Sequence, residues 1–139
     1  MFNFTIPGEP KGKGRPKFST KGGYARAITP EATANYENLV KVSFLQACGK
    51  AEPYAKDVPL VAKISAFFPI PQSASKKKQA AMEAGEILPT KKPDTDNIAK
   101  IVLDALNGLA YYDDAQIVVL TLQKTYSTKP RVDVQIFEY

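Results

Sequence analysis

Residues 97–107 carry the strongest folding signal in this chain of 139 residues. Apolar side chains recur there at helical spacing, at Ile98, Ile101, Val102, Ala105 and Leu109. A stripe of this kind predicts a helix that buries one face against a core. The polar side chains that this arrangement places on the opposite face are Asp96, Lys100, Asp104 and Asn107.

The rest of the chain predicts a sheet and further helices around this one. Strands are predicted by apolar alternation or β-branched runs over residues 2–6, 60–68, 117–126 and 132–136. A Thr-Pro-Glu start at Thr29 and a glycine at Gly49 bound a second helix, and residues 73–86 form a weaker one. We expect one domain over residues 1–139, of α/β or α+β class. Its sheet would be mixed, with about four strands, helices mainly on one face, and the last strand antiparallel to the one before.

The amino-acid composition limits the partners and the catalytic groups that this chain can have. The net charge is +5 and the pI is about 9.2, which favours an anionic partner, most often nucleic acid. The single Cys48 has no internal disulfide partner, and no signal peptide or membrane-spanning run is recognisable, so we expect a cytoplasmic protein. There is no histidine, which removes every scheme based on a histidine general base. Carboxylates, lysine, tyrosine or a bound metal must do any chemistry.

Five of the seven aspartates fall between residues 91 and 117. They are Asp94, Asp96, Asp104, Asp113 and Asp114. One aspartate at the helix start is enough for capping, and two neighbouring acids repel each other unless a cation or strong donors lie between them. The alternative for the polar stripe is a solvated face with helical ion pairs.

Asp113 and Asp114 follow a glycine-containing turn and precede an apolar strand. Asp114 can approach Asp94 and Asp96 if that strand runs back beside the helix start, or if the loop before it folds back along the helix. Three converging carboxylates would suit Mg²⁺ or Mn²⁺. Such an ion can activate water against a phosphodiester. These residues therefore favour metal-dependent phosphodiester chemistry over a purely structural role.

Basic residues bracket the acids in the sequence. Lys11, Lys13, Arg15 and Lys17 alternate with glycine and proline, which predicts a flexible arm that grips phosphates rather than a P-loop. The other predicted DNA-binding residues are Lys76, Lys77, Lys78, Lys91 and Lys92. The alternative is a set of solvated basic loops.

Taken together, these motifs resemble the RusA-type crossover junction endodeoxyribonucleases, which resolve Holliday junctions. The resemblance rests on "PDTDNIAKIVLDALNG" and "DDAQI", with "GKGRPK" upstream and "PIPQSASKKK" between, and it spans most of the chain. It implies an α/β homodimer that nicks opposed strands of four-way junction DNA with Mg²⁺, in DNA recombination and repair. Mn²⁺ would substitute for Mg²⁺.

The resemblance also implies roles for single residues. Asp94, Asp96 and Asp114 match the family's catalytic, metal-binding carboxylates, and Lys100 matches a functional lysine. Supporting roles fall to Asn97, Asp104 and Asp113. Lys17 departs from the arginine that is more usual at the end of the arm.

Two other functions are compatible with the residues. A non-catalytic nucleic-acid-binding protein with a structural acidic cluster would bind junctions without cutting them. A nucleotide-sugar transferase would share the Asp-x-Asp motif, but such enzymes usually need a larger nucleotide-binding domain than this chain provides.

Overall fold

The core lies between one face of a four-stranded sheet and two helices. The computed structural model describes residues 1–139, apart from the side chain of Lys17. The strands are β1 (Phe2–Pro7), β2 (Lys17–Ser19), β3 (Arg26–Ile28), β4 (Leu60–Pro69), β5 (Ile117–Ser127) and β6 (Arg131–Glu138). The helices are α1 (Glu31–Cys48), α2 (Lys76–Glu83) and α3 (Thr95–Ala105), and a 3₁₀ turn spans Asp114–Gln116. The expected class, a mixed sheet with helices on one side, is confirmed.

The strand order of the sheet is β1-β6-β4-β5. β5 runs parallel to β4, whereas β6 is antiparallel to both β4 and β1. β6 therefore runs antiparallel to β5, as predicted, but β4 lies between these two strands. Val134 lies between Phe4 of β1 and Ile64 of β4, and all three side chains are buried. A central position pairs β6 along both edges and packs its alternating apolar side chains under the helices.

Aromatic and aliphatic side chains join α1 and α3 to this sheet. The ring of Phe44 on α1 lies 5.0 Å from Phe2 and 5.5 Å from Phe4, both edge to face. Helix α3 contributes Ile98 and Ile101, which are fully buried. By contrast, α2 buries no residue, in keeping with its weak amphipathic pattern.

The helix bounds differ from the predicted ones by about one turn or less. Helix α3 begins at Thr95 and ends at Ala105, two residues earlier at each end than predicted. The chain turns after it, and the buried hydroxyl of Tyr111 donates to the carbonyl of Leu103 at 2.6 Å. That bond adds a second donor to a carbonyl in the last turn, which also accepts from the N–H of Leu106 at 3.3 Å. No helix in the described part of the chain is long and apolar enough to cross a membrane.

The segment before α1 forms more structure than a loop. β2 and β3 pair as a short antiparallel hairpin, and β3 is exposed throughout. The residues ahead of the hairpin, 8–16, run across the starts of both large helices, because Lys13 donates its N–H to the carbonyl of Asn97 and Gly14 donates to the hydroxyl of Thr33. We call residues 8–16 the basic arm.

Candidate active site on helix α3

Helix α3 presents its acidic side chains away from the core. Ile98, Ile101 and Val102 are completely buried, and the side opposite them carries Asp96 and Lys100, both exposed. Asp104 and Asn107 follow one and two turns after Lys100. The polar stripe expected from the sequence therefore lies along the outer surface of the helix.

The start of α3 leaves its aspartates free for other partners. Asp94 is the N-cap residue with an extended backbone, but its side chain makes no capping hydrogen bond. Its carboxylate instead faces an open groove of about 330 Å³, which Lys11, Lys92 and Asn97 also line. Capping does not account for Asp94, and lysines of the basic arm and of the loop before α3 meet beside it.

Asp114 lies at the other end of the helix. Its N–H donates to the side-chain oxygen of Asn107 at 2.8 Å. Asp113 caps the 3₁₀ turn by accepting from the N–H of Ala115, and Gln116 completes a capping box. The carboxyl of Asp114 lies close enough to the carboxyls of Asp113 and Asp104 to form a hydrogen bond when one of them is protonated. The turn therefore aims Asp114 at the stripe of α3.

The local environment shifts the pKa values of the neighbouring Asp113 and Asp114 in opposite directions. Burial, together with the carboxyls of Asp113 and Asp104, raises the pKa of Asp114 to about 6. The hydrogen bond from the Ala115 N–H, followed by one with Asp114, lowers the pKa of Asp113. A carboxyl whose pKa is raised by neighbouring carboxyls lacks a compensating positive charge. A hard divalent cation suits oxygen donors of this kind, so the neighbouring carboxyls of Asp104 and Asp114 fit a magnesium ion.

The predicted meeting of Asp94, Asp96 and Asp114 does not form in this structure. Ten residues of helix separate Asp94 from Asp104, a rise of about 15 Å. Strand β5 does run back toward the helix start, where the Lys124 ammonium donates to the carbonyl of Lys91, but Asp114 precedes that strand. In the described part of the chain, no three acidic or thiol side chains lie close enough to hold an ion together.

The carboxylate of α3 that does reach Asp114 is Asp104, for which the resemblance implied only a supporting role. Helical spacing put Asp104 on the right stripe, but the fold of the turn from Gly108 to Asp113 decides which acid meets Asp114. The amide of Asn107 fixes that turn against the helix. A polar residue immediately after the helix, followed by paired acids, is the one signal in the sequence that points to this contact.

Lys13 pairs with two carboxylates, whereas its place in the basic arm predicted a contact with phosphates. Its ammonium lies 3.1 Å from Glu37 of α1 and 3.4 Å from Asp104 of α3. Burial lowers the pKa of this lysine, but hydrogen bonds and charge attraction from Glu37 and Asp104 outweigh burial and raise it. No pattern in the sequence predicts the ion pair with Glu37, which faces the basic arm from helix α1.

The glycines of the basic arm allow close contact. A Cβ on Gly12 would lie 2.8 Å from the Cβ of Pro93, and one on Gly14 would lie 2.7 Å from the hydroxyl of Thr33. The arm therefore packs tightly at these points, where the sequence predicted flexibility.

The remaining predicted DNA-binding residues lie at the surface. Those with exposed side chains are Lys11, Arg15, Lys76, Lys77, Lys78, Lys91 and Lys92. The prediction for Lys17 concerns a side chain outside the described residues. Because Lys91 and Lys92 immediately precede α3, positive charge stands directly beside Asp94 and Asp96.

Fold and site together describe a small, basic α/β protein with a carboxylate-bearing helix set among exposed lysines. Residues 7–137 match the family described as Endodeoxyribonuclease RusA. The chain belongs to this family, as the resemblance in its motifs implied.

The chain is similar to two relatives, one from a bacterium and one from a phage. It is 39% identical over 137 residues to the uncharacterized protein YqaN of Bacillus subtilis (strain 168), covering 97% of this chain and 94% of that protein. It is also 35% identical over 88 residues to a crossover junction endodeoxyribonuclease of Lactococcus phage r1t. That match covers 63% of this chain and 60% of the phage protein.

The pKa of Asp114 predicts how stability depends on pH without metal. Because this pKa is raised from 3.8 to about 6, the folded state binds the proton more tightly than the unfolded state. Stability therefore falls as pH rises from about 4 to about 6. Asp114→Asn should remove this loss and gain on the order of 1 kcal/mol at pH 8, after allowance for solvent screening, but little at pH 3.

Urea unfolding at several pH values in EDTA measures this difference. Asp57→Asn is the matched control, because Asp57 is exposed and its positive φ of 69° suits asparagine. A gain at Asp114 that is equal at pH 3 and pH 8 would contradict the assigned carboxyl pair.

Proposed function

We propose that this protein is a Mg²⁺-dependent endodeoxyribonuclease that resolves four-way DNA junctions by paired nicks, in cytoplasmic DNA recombination and repair. The observation that carries the proposal is the contact of the Asp114 and Asp104 carboxyls on a helix face bordered by exposed lysines. Membership of the RusA family and the name of the phage relative support it.

Asp114 and Asp104 would hold the metal, with Asp94 and Asp96 facing the same bound DNA from the helix start. Magnesium in nucleic-acid enzymes commonly uses one or two carboxylates and completes its shell with water and substrate phosphates. A closed cluster of protein carboxylates is therefore not required before DNA binds. When bound, the ion would activate a water molecule and stabilise charge on the leaving oxygen.

The lysines have separate tasks in this proposal. Lys11 and Lys92 line the groove beside Asp94, where a DNA backbone would gain charge-assisted contacts. Lys100 is exposed on α3 between Asp96 and Asp104, so its ammonium is placed to approach a phosphate lying along the stripe. It would stabilise the charge of the phosphate or orient the attacking water.

One observation favours the second candidate, a non-catalytic nucleic-acid-binding protein. The described side chains include no ready-made group of three acidic metal ligands. Incubation with a synthetic four-way junction and Mg²⁺, beside a linear duplex, separates the two functions. Cleavage of the junction supports the nuclease, whereas retention without cleavage supports the binding protein.

The acidic residues generate the first functional prediction. Changing Asp104 or Asp114 to Asn should lower cleavage by about 100-fold or more, because each change removes a carboxylate that would hold the metal. Junction binding should be kept or become tighter, since less negative charge faces the phosphates. Single-turnover cleavage and gel-shift assays measure the two effects, with Asp57→Asn as the control. Near wild-type cleavage by any one variant would remove that residue from the site.

The exposed arm residues generate a second prediction, on binding. Changing Lys11 and Arg15 together to Gln should weaken junction binding and reduce its log–log salt slope by about one unit per lost phosphate contact. Lys41 and Lys50 are exposed and outside the site, so their double change to Gln is the matched control. An unchanged salt slope in the arm variant would indicate that Lys11 and Arg15 are solvated and do not contact phosphates.

We also propose that the protein acts as a homodimer, because a junction offers two symmetric cutting positions and each chain supplies one acidic helix. The final strand, β6, is paired along both edges inside the sheet. The outer strands β1 and β5 have free edges instead. On β5, Val118, Val119 and Leu120 are consecutive and exposed.

The dimer prediction concerns the products. Light scattering at micromolar concentration should give twice the mass of 15.2 kDa. A supercoiled cruciform should be converted directly to linear DNA, because both strands are cut in one bound complex. A monomeric mass together with accumulation of singly nicked circles would refute the dimer.

A further inference from the structure

We infer that Lys13 is a positioning residue that fixes Asp104 for its contact with Asp114, rather than a lysine that grips DNA phosphates. The inference rests on the proposed nuclease function and concerns the same site. The phosphate-gripping role predicted from the spacing of the basic arm would then belong to the exposed residues on either side, Lys11 and Arg15.

The first support is that two carboxylates already pair with the Lys13 ammonium. Its oxygen partners are Glu37 at 3.1 Å and Asp104 at 3.4 Å. Only 22% of the Lys13 side chain is exposed, and its two partners are 17% and 26% exposed. A phosphate contact would have to break two ion pairs that are shielded from solvent. Partly buried pairs of this kind are screened by salt much less than exposed ones.

The second support is the way the backbone is held. The N–H of Lys13 donates to the carbonyl of Asn97 on α3, at 3.0 Å. The N–H of Gly14, the next residue, donates to Thr33 on α1, also at 3.0 Å. Gly12 and Gly14 let the backbone approach both helices more closely than a Cβ would permit. Lys13 is thus anchored at its backbone as well as at its ammonium.

The third support is the sequence of contacts that leads from Lys13 to the reacting region. Glu37 holds the ammonium from α1, the ammonium holds one oxygen of Asp104, and the Asp104 carboxyl lies beside that of Asp114. Without Lys13, Asp104 would turn freely about its side-chain bonds beside three other carboxylates. A carboxylate that must meet a metal within a few tenths of an ångström loses rate when its orientation is not fixed.

The test compares Lys13→Met with Lys13→Arg and with the control Lys41→Met. Lys41 lies exposed on α1, one turn after Glu37, and its change to Met removes the same charge as Lys13→Met. We expect Lys13→Met to slow single-turnover cleavage at saturating protein by about 10-fold or more, in line with losing an outer partner of a metal ligand. Its junction Kd should stay within threefold of wild type, with an unchanged salt slope. Lys13→Arg should restore most of the rate.

Glu37→Gln is the second variant, needed if Lys13→Met unfolds. It keeps the size of the side chain but weakens the outer anchor of the ammonium, so it should lower the rate in the same direction at unchanged Kd. Thermal melting sets an assay temperature at which each variant is folded.

Two results would overturn the inference. One is a weakened Kd with a salt slope about one unit shallower and a normal rate at saturation, which identifies a phosphate contact. The other is a cleavage rate in Lys13→Met and Glu37→Gln equal to that of Lys41→Met. If wild-type protein binds the junction but does not cut it, the proposed function fails, whereas the Kd and salt slope of Lys13→Met still decide whether Lys13 contacts a phosphate.

Discussion

Burial of one face of α3 determines where every acidic group of the site can lie. Ile98, Ile101 and Val102 are inaccessible to solvent beneath the sheet. Each such side chain contributes roughly 1.5–3 kcal/mol when it is fully buried. Repulsion among exposed carboxylates is weaker, because water and salt screen it. The apolar face therefore sets the rotation of the helix, and the acids remain together on the outside although they repel one another.

The charges on that outer surface are balanced in an ordered way. At one end of α3, exposed lysines of the arm and of the preceding loop stand beside Asp94. At the other end, Lys13 is held between Glu37 and Asp104. Exposed lysines thus lie at one end of the helix, and an ion-paired lysine lies at the end where the carboxyls meet. The basic arm takes part in both, so it belongs to the framework of the site.

Much of the fold was predictable because it follows from local periodicity. The alternation in β1, β4 and β6 and the stripe of α3 gave these elements to within a few residues. Strand order was not predictable in the same way. The alternation of Val132, Val134 and Ile136 shows that β6 is buried on one face, but it does not say which strands flank it. The short turn after β5 predicts the reversed direction of β6, but not that β6 enters between β1 and β4.

The site was predictable in its residue types and less so in its contacts. Helical spacing placed Asp96, Lys100 and Asp104 on one stripe, but the partner of Asp114 depends on a turn whose path is set by Asn107 and Tyr111. Gly12 and Gly14 looked like sources of flexibility, since a sequence does not show what a Cβ would strike. The pairing of Lys13 with Glu37 joins residues 24 positions apart, beyond any local pattern.

The central position of β6 also affects how the chain folds as it is synthesised. The first strand has β6 as its only strand neighbour, and Thr5 donates to Asp133 across 128 positions of sequence. Contacts this distant in sequence slow folding, because a long loop must close before they form. While β6 is still inside the ribosome, β1 lacks its place in the sheet and Phe44 lacks the fixed rings it packs against. The nascent chain therefore completes its core only after β6 has emerged, and the acidic helix gains its rigid support at the same step.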